Sequence, residues 1–280
     1  MSELRTTKLP SGTEVPVLGQ GTWGYAEDRL LRPREIATLR RGFELGLTLV
    51  DTAEMYADGR AEKLVGEAIA GHRDDVFLVS KVLPTNSTHD GTIAACEGSL
   101  RRLGTEWLDL YLLHWRGRVP LAETIGAFQE LVAAGKIRSW GVSNFDPRDM
   151  AELATVPGGD DVATDQVLYN LTSRGIEWDL LPDCRQRGIP VMAYSPFGRG
   201  SLLEDNHLRD IAKQYDVRPA QVALAWVLRQ DGVIAIPRAG TPEHVEQNRA
   251  ALDLHLSEET LAQLDRAFPP PGGPVPLEVL

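Results

Sequence analysis

The chain has 280 residues, with 29 Lys and Arg against 40 Asp and Glu, a formal net charge of −11. Hydrophobic residues make up 42% and charged residues 25%. That supports a large core and excludes a disordered or collagen-like chain. The acidic balance argues against a nucleic-acid binder, which needs a basic face. It also argues against adhesion to an anionic membrane surface. No run approaches the roughly 20 apolar residues of a membrane helix, and the start, MSELRTTKLPSG, lacks the apolar stretch of a secretory signal. Two cysteines, Cys96 and Cys184, stand far apart in no metal or redox spacing. A reducing cytoplasm is the expected location.

After an N-terminal hairpin expected over residues 1–16, short apolar runs recur along the chain. They are VPVLGQGT (15–22), LTLVDTA (47–53), VFLVSKV (76–82), LDLYLLHW (108–115), IRSWGVSNF (137–145), VATDQVLYN (162–170), IPVMAYSPF (189–197) and VIAIPRAG (233–240). Each is nearly continuous rather than alternating, as in strands of a parallel sheet buried on both faces. Helical stretches separate them. Pro33 suits a first helical position and Gly46 follows the apolar set Ile36, Leu39 and Phe43. The stretch from Leu121 to Ala134 stops at Gly135, and Cys184 to Arg187 stops at Gly188. Two helical stretches, 207–215 and 218–230, precede the last strand, so one extra helix is expected there. Eight strands alternating with helices, with no linker, predict a single (β/α)8 TIM barrel domain over 1–280. An open doubly wound sheet is the competing arrangement. The proline-rich tail, 269–280, is either a loose end or a loop across the barrel mouth.

In such a barrel the active site gathers at the C-terminal ends of the strands. The polar residues there are Asp51, Lys81, His114, Ser143 with Asn144, Gln166, Tyr194 with Ser195, and Arg238. Three adjacent strands end in ionisable residues on very apolar runs, where charges need partners. Tyr56 follows Asp51 in DTAEMY and can return over the same rim. Together Asp51, Lys81, Tyr56 and His114 form a coherent proton-transfer set. An ammonium stabilises a phenolate and lowers the phenol's pKa, a carboxylate holds the ammonium, and a histidine hydrogen-bonds a carbonyl oxygen. Taken singly, each has a structural explanation: a buried ion pair, a core histidine, a loop aromatic. The other five histidines share no ligand spacing, so no metal is expected. Gly19-Gln20-Gly21-Thr22-Trp23-Gly24 fits a dinucleotide fingerprint, but YAEDRLLR intervenes before a helix begins near Pro33. No helix N-terminus would meet a pyrophosphate there, and a strand-to-loop turn is the better reading.

The stretches LGQGTWGY, LTLVDTAEMY, FLVSKV, DLYLLHW, IRSWGVSNF, DQVLYN, MAYSPFGRG and IPRAGTPEHVEQN, in this order, resemble the aldo-keto reductase family over nearly the whole chain. The look is that of bacterial methylglyoxal and 2,5-diketo-gluconate reductases. The resemblance implies an NAD(P)H-dependent oxidoreductase that reduces small aldehydes, α-dicarbonyls or ketones and binds NADPH without a Rossmann domain. It makes Asp51, Tyr56, Lys81 and His114 the catalytic tetrad, with Tyr56 as proton donor. Ser143, Asn144 and Gln166 match residues that grip the nicotinamide carboxamide, and Tyr194 matches the aromatic beneath its ring. Ser195, Phe197 and Gly198 match the segment that wraps the pyrophosphate. Gly21, Thr22, Trp23 and Asp51 fall on the cofactor side of the pocket. Trp23 and Trp115 line the substrate side with Tyr56 and His114, and Trp140 is expected near the mouth or in rim packing.

At the 2′-phosphate end the chain departs from the family pattern. It has Arg238-Ala239 for Lys-Ser and His244 where an Arg is expected, with Asn248 retained. Arg238 can clamp a phosphate bidentately. Without a second fixed cation, discrimination against NADH is expected to be weaker. Arg116 and Arg118, after His114, are either solvated or placed to attract a carboxylate-bearing substrate. Two other classes compete. One is a Schiff-base aldolase using Lys81, which borohydride trapping would reveal. The other is a non-catalytic, cofactor-sensing regulatory barrel, which turnover would exclude. A monomer is expected.

Overall fold

A computed structural model describes residues 4–280, and the first apolar run divides in two. Its start belongs to an antiparallel hairpin, β1 (Thr6–Lys8) with β2 (Glu14–Pro16). Residues 1–3 of the expected hairpin lie outside the described residues. The barrel's own first strand is only β3 (Gln20–Gly21). Then follow α1 (Arg32–Glu44), β4 (Leu49–Asp51), α2 (Arg60–Ile69), β5 (Phe77–Val82), α3 (His89–Leu103), β6 (Leu108–Leu113), α4 (Leu121–Ala133) and β7 (Ile137–Ser143). After them come α5 (Pro147–Ala154), β8 (Asp165–Leu168), α6 (Leu180–Gln186), β9 (Val191–Tyr194), α7 (Asn206–Gln214) and α8 (Pro219–Leu228). The last elements are β10 (Val233–Ala235), α9 (Pro242–Ala250) and α10 (Glu258–Ala267). Both α7 and α8 fill the gap before the last strand, where two helical stretches were expected. Helix α10, which no apolar run marks, is announced by the Ser257 cap on the Thr260 N–H at 3.2 Å.

The eight strands from β3 to β10 are parallel and adjacent in chain order. Leu18 bridges Ala235, the Gly19 N–H donates to Ala235 O at 2.9 Å, and the Ala235 N–H donates to Val17 O at 2.8 Å. The first and last strands therefore meet, and the sheet closes into a (β/α)8 barrel. A doubly wound sheet would instead reverse strand order and leave two edges. Closure is tight at Gly21, where a Cβ would stand 2.6 Å from the Ile236 carbonyl oxygen.

Inside the barrel the strands alternate strictly, although their sequences do not. Leu49 precedes Asp51 by two residues, Val79 precedes Lys81, Leu112 precedes His114, Met192 precedes Tyr194 and Ile236 precedes Arg238. All five apolar members belong to one interior cluster. With a side-chain period of two, the barrel is oily in its lower layers and polar at its C-terminal rim. The outward residues pack under the helices in a second, larger cluster, so periodicity cannot separate the faces. Leu9 and Val15 of the hairpin join the interior cluster and plug the opposite end. Burial of such side chains contributes roughly 1.5–3 kcal/mol each.

Trp140 is displaced from its expected place by the same parity. It stands three positions before Ser143, an odd number, so it faces the helices, 3% exposed and stacked on Phe128 of α4 at 5.4 Å. The tail crosses the mouth: Ser173 Oγ donates to Glu278 at 2.7 Å, and Val279 and Leu280 line the cleft.

Candidate active site

At the polar rim Lys81 is wholly buried, and its ammonium spends all three hydrogens. Nζ donates to Asp51 Oδ2 at 2.8 Å, to the Thr52 carbonyl at 2.8 Å and to Tyr56 Oη at 3.1 Å. The other Asp51 oxygen accepts from Gln166 Nε2 at 2.8 Å. Tyr56 opens a 3-10 turn, Tyr56–Gly59, just beyond β4. His114 follows β6, its N–H donating to Val82 O at 3.0 Å. The two rings meet edge to face, centroids 5.8 Å apart. Four side chains from three strand ends thus share one pocket floor.

Burial decides how these groups ionise. It lowers the Lys81 pKa, but Asp51, with help from Tyr56, outweighs it and holds the ammonium above its ordinary value. For Tyr56 burial raises the pKa and Lys81 pulls it back only in part, so the phenol stays above its ordinary value. The expected lowering by Lys81 is present but is the weaker effect. Burial, with the nearby Lys81 charge, drives His114 down to about 2. The imidazole is therefore neutral at any working pH, a hydrogen-bonding group rather than a cation. Its buried Nδ1 lacks a hydrogen-bond partner among the described residues.

Above this floor lies a cleft of about 620 Å³, lined by Gly21, Trp23, Met55, Tyr56, His114, Trp115, Ser143, Asn144, Gln166, Tyr194, Ser195, Phe197 and Arg238, among others. Its size and its apolar walls with few polar groups match small-molecule and cofactor sites. A chain of bonds fixes one wall. Tyr194 Oη donates to Asn144 Oδ1 at 2.8 Å, and Asn144 Nδ2 donates to the His114 carbonyl and to Ser143 Oγ, each at 3.1 Å. Ser143 Oγ donates in turn to the Gln166 carbonyl at 2.8 Å. Asn144 (φ 57°) and Ser195 (φ 48°) hold left-handed backbone, a strain that persists where surroundings over-determine it. Asn170 braces Ser195, its Nδ2 donating a hydrogen bond to the Ser195 carbonyl at 3.0 Å. Sequence reasoning missed Asn170, although it ends the run VATDQVLYN and satisfied the strand-end criterion.

Several expected residues stand elsewhere. Thr22 is fully buried, its hydroxyl donating to the Asp51 carbonyl at 2.9 Å, where it braces the strand that ends in the acid. Gly198, His244 and Asn248 lie outside the cleft lining; His244 and Asn248 ride on α9, and the His244 N–H bonds its cap, Thr241. Arg238 spreads over the Tyr25 ring at 5.4 Å. Arg116 is committed to Glu152 at 2.9 Å and to the Gly117 and Val119 carbonyls. Neither it nor Arg118 lines the cleft. Among the described residues no cluster of His, Cys, Asp or Glu is arranged to hold a metal ion. No helix of the described residues is long and apolar enough to cross a membrane.

This arrangement has counterparts. Methylglyoxal reductase YeaE from Escherichia coli is 55% identical over 271 residues, 95% of each chain. An aldo/keto reductase from Klebsiella pneumoniae, crystallised with NADP and acetate, superposes with a TM-score of 0.96 at 51% identity, covering 99% of this chain and 100% of that one. An aldo-keto reductase of the same organism, crystallised with NADPH, superposes with a TM-score of 0.97, also at 51% identity and with both chains covered in full. A family model described as the aldo/keto reductase family matches residues 17–268, and the chain belongs to that family.

Proposed function

We infer that this chain is an NADPH-dependent reductase that converts small aldehydes, α-dicarbonyls or ketones to alcohols over the pocket floor formed by Asp51, Tyr56, Lys81 and His114. The observation that carries the reading is one ammonium, Lys81 Nζ, shared between a carboxylate at 2.8 Å and a phenol at 3.1 Å on the floor of a cofactor-sized cleft. Relatives crystallised with NADP and NADPH and one named a methylglyoxal reductase support both the cofactor and an α-dicarbonyl substrate.

NADPH supplies a hydride to the carbonyl carbon when bound. The chain's residues do the rest. Tyr56 Oη gives its proton to the carbonyl oxygen, and the Lys81 ammonium, charged and immobile, stabilises the phenolate left behind. Asp51 keeps Lys81 protonated. Neutral His114 orients the carbonyl oxygen by a hydrogen bond without competing as an acid. Ser143, Asn144 and Gln166 would hold the nicotinamide amide, Tyr194 its ring face and Ser195 with Phe197 and Gly198 the pyrophosphate. Arg238 would hold the 2′-phosphate, joined by His244 and Asn248 from α9. The residues fit this cofactor: the cleft has the volume, and aromatic and amide groups converge on one wall.

An aldolase role for Lys81 fits poorly, because a Schiff base needs a free, uncharged amine and this one is charged with every hydrogen engaged. A purely regulatory barrel leaves the convergent tetrad without a purpose. The protein is a cytoplasmic monomer in this reading. NADPH consumption across a panel of aldehydes, dicarbonyls and keto acids tests it. Methylglyoxal-type substrates should be turned over, and Tyr56→Phe should lose about 10²–10⁴-fold in kcat while binding NADPH as before. Full activity in that variant would reassign the acid.

A further inference from the structure

The tyrosine at the centre of this reading stands at the start of a strained segment. Ala57 (φ 48°), Asp58 (φ 54°) and Gly59 (φ 77°) are three successive left-handed residues, an arrangement that costs roughly 1–2 kcal/mol for each non-glycine residue. Such a loop keeps its shape only if neighbours hold it. Tyr56 and Lys81 also belong to different strand ends, so the 3.1 Å between Oη and Nζ depends on how those two loops are tied together.

The tie is Glu54, two residues before Tyr56. Its Oε1 accepts from the Leu83 N–H at 2.7 Å and from Asn86 Nδ2 at 3.0 Å, and its own N–H reaches the Lys81 carbonyl at 3.4 Å. Leu83 lies two residues beyond Lys81, and Asn86 closes the turn Pro84–Asn86. One carboxylate oxygen thus joins the tyrosine loop to the backbone leaving the lysine strand.

We propose that Glu54 is a positioning residue of this reductase: its carboxylate holds the strained 56–59 turn against the end of β5 and so sets the separation of the Tyr56 hydroxyl and the Lys81 ammonium. It touches neither substrate nor cofactor in this role, and it acts through Tyr56. The groups facing the phenol are Lys81, Asp51 and His114, and Glu54 changes only how near the first of them stands. The acceptor oxygen matters and the negative charge does not, so glutamine at this position should serve where alanine fails.

The proposal rests on the functional reading above, and its test has an arm that does not. Wild type, Glu54→Ala and Glu54→Gln are compared in the kcat–pH profile for carbonyl reduction, and in the titration of the Tyr56 phenol by NMR with isotope-labelled tyrosine, assigned with Tyr56→Phe. In Glu54→Ala, kcat should fall about tenfold or more, as a misplaced reacting group demands. KM and NADPH affinity should stay within about twofold, because the binding walls are untouched. The Tyr56 titration and the alkaline limb of kcat should move to higher pH as the ammonium recedes, and Glu54→Gln should restore both. Glu54→Ala with unaltered phenol titration overturns the proposal, as does Glu54→Gln behaving like alanine. If wild type reduces no carbonyl, the reductase reading falls, and the phenol titration still decides the role of Glu54.

Discussion

The floor of the cleft and its rim are built on opposite terms. On the floor each of Asp51, Lys81 and Gln166 is at most 2% exposed and bonded to another member, so its geometry exists before any ligand arrives. At the rim Trp23 is 56% exposed and Trp115 38%, and Arg238 lies on Tyr25 in the open. Preorganised dipoles and charges act on a reacting centre without reorganising, whereas exposed aromatic and guanidinium groups keep open surface that a ligand can cover. In the proposed reading, chemistry belongs to the floor and selectivity to the rim.

A double-mutant cycle at the floor breaks that contrast most forcefully. Lys81→Met strands the Asp51 carboxylate in the interior and should cost ~3–5 kcal/mol in urea unfolding, whereas Asp51→Asn with Lys81→Met should recover much of the loss. Equal losses in single and double variants would mean that the pair is a solvated contact rather than a committed one.

At the rim, Arg238→Ala should weaken NADPH about tenfold or more, in line with the loss of a charge-assisted phosphate contact, and leave NADH affinity unchanged. Tryptophan fluorescence titration at two salt concentrations measures it, and the deficit should shrink as salt rises. An equal effect on NADH would place Arg238 on a group common to both cofactors.

The mildest effect concerns His114, whose pKa falls from 6.5 to about 2 on folding. The unfolded chain takes up this proton first, so the contribution of a neutral His114 is fully present above pH 6.5 and is lost as pH falls towards 2. The slope is ~1.4 kcal/mol per pH unit. That slope is reached only well below pH 6.5, so urea unfolding at pH 6.5 and 5.5 should show a loss smaller in His114→Gln than in wild type by ~1 kcal/mol. Identical losses would show that the imidazole takes up its proton in the folded protein as readily as in the unfolded chain.

Much of the floor was legible because strand ends are legible. Asp51, Lys81 and His114 each close an apolar run, and a lone charge on such a run has few explanations but function or pairing. The rim was read less well. Trp140 looked like a mouth residue because both faces of β7 are buried, and only its parity with Ser143 assigns it to the helix side. Arg116 looked available because nothing local predicts Glu152, 36 residues on, as its partner. Asn170 and Glu54 were overlooked because their bonds run to the Ser195 carbonyl and the Leu83 N–H, backbone atoms that carry no sequence signal.

By itself the amino-acid order determined the alternation of strand and helix, the polar residues that end each strand and the match to one family, since these rest on local periodicity and on residue identity. Tertiary structure alone decided that the phenol lies above its ordinary pKa, that His114 is neutral, that the 269–280 tail crosses the mouth and which arginines are already spent. Those outcomes depend on burial and on partners brought together from distant positions, and neither is a property of any segment taken alone.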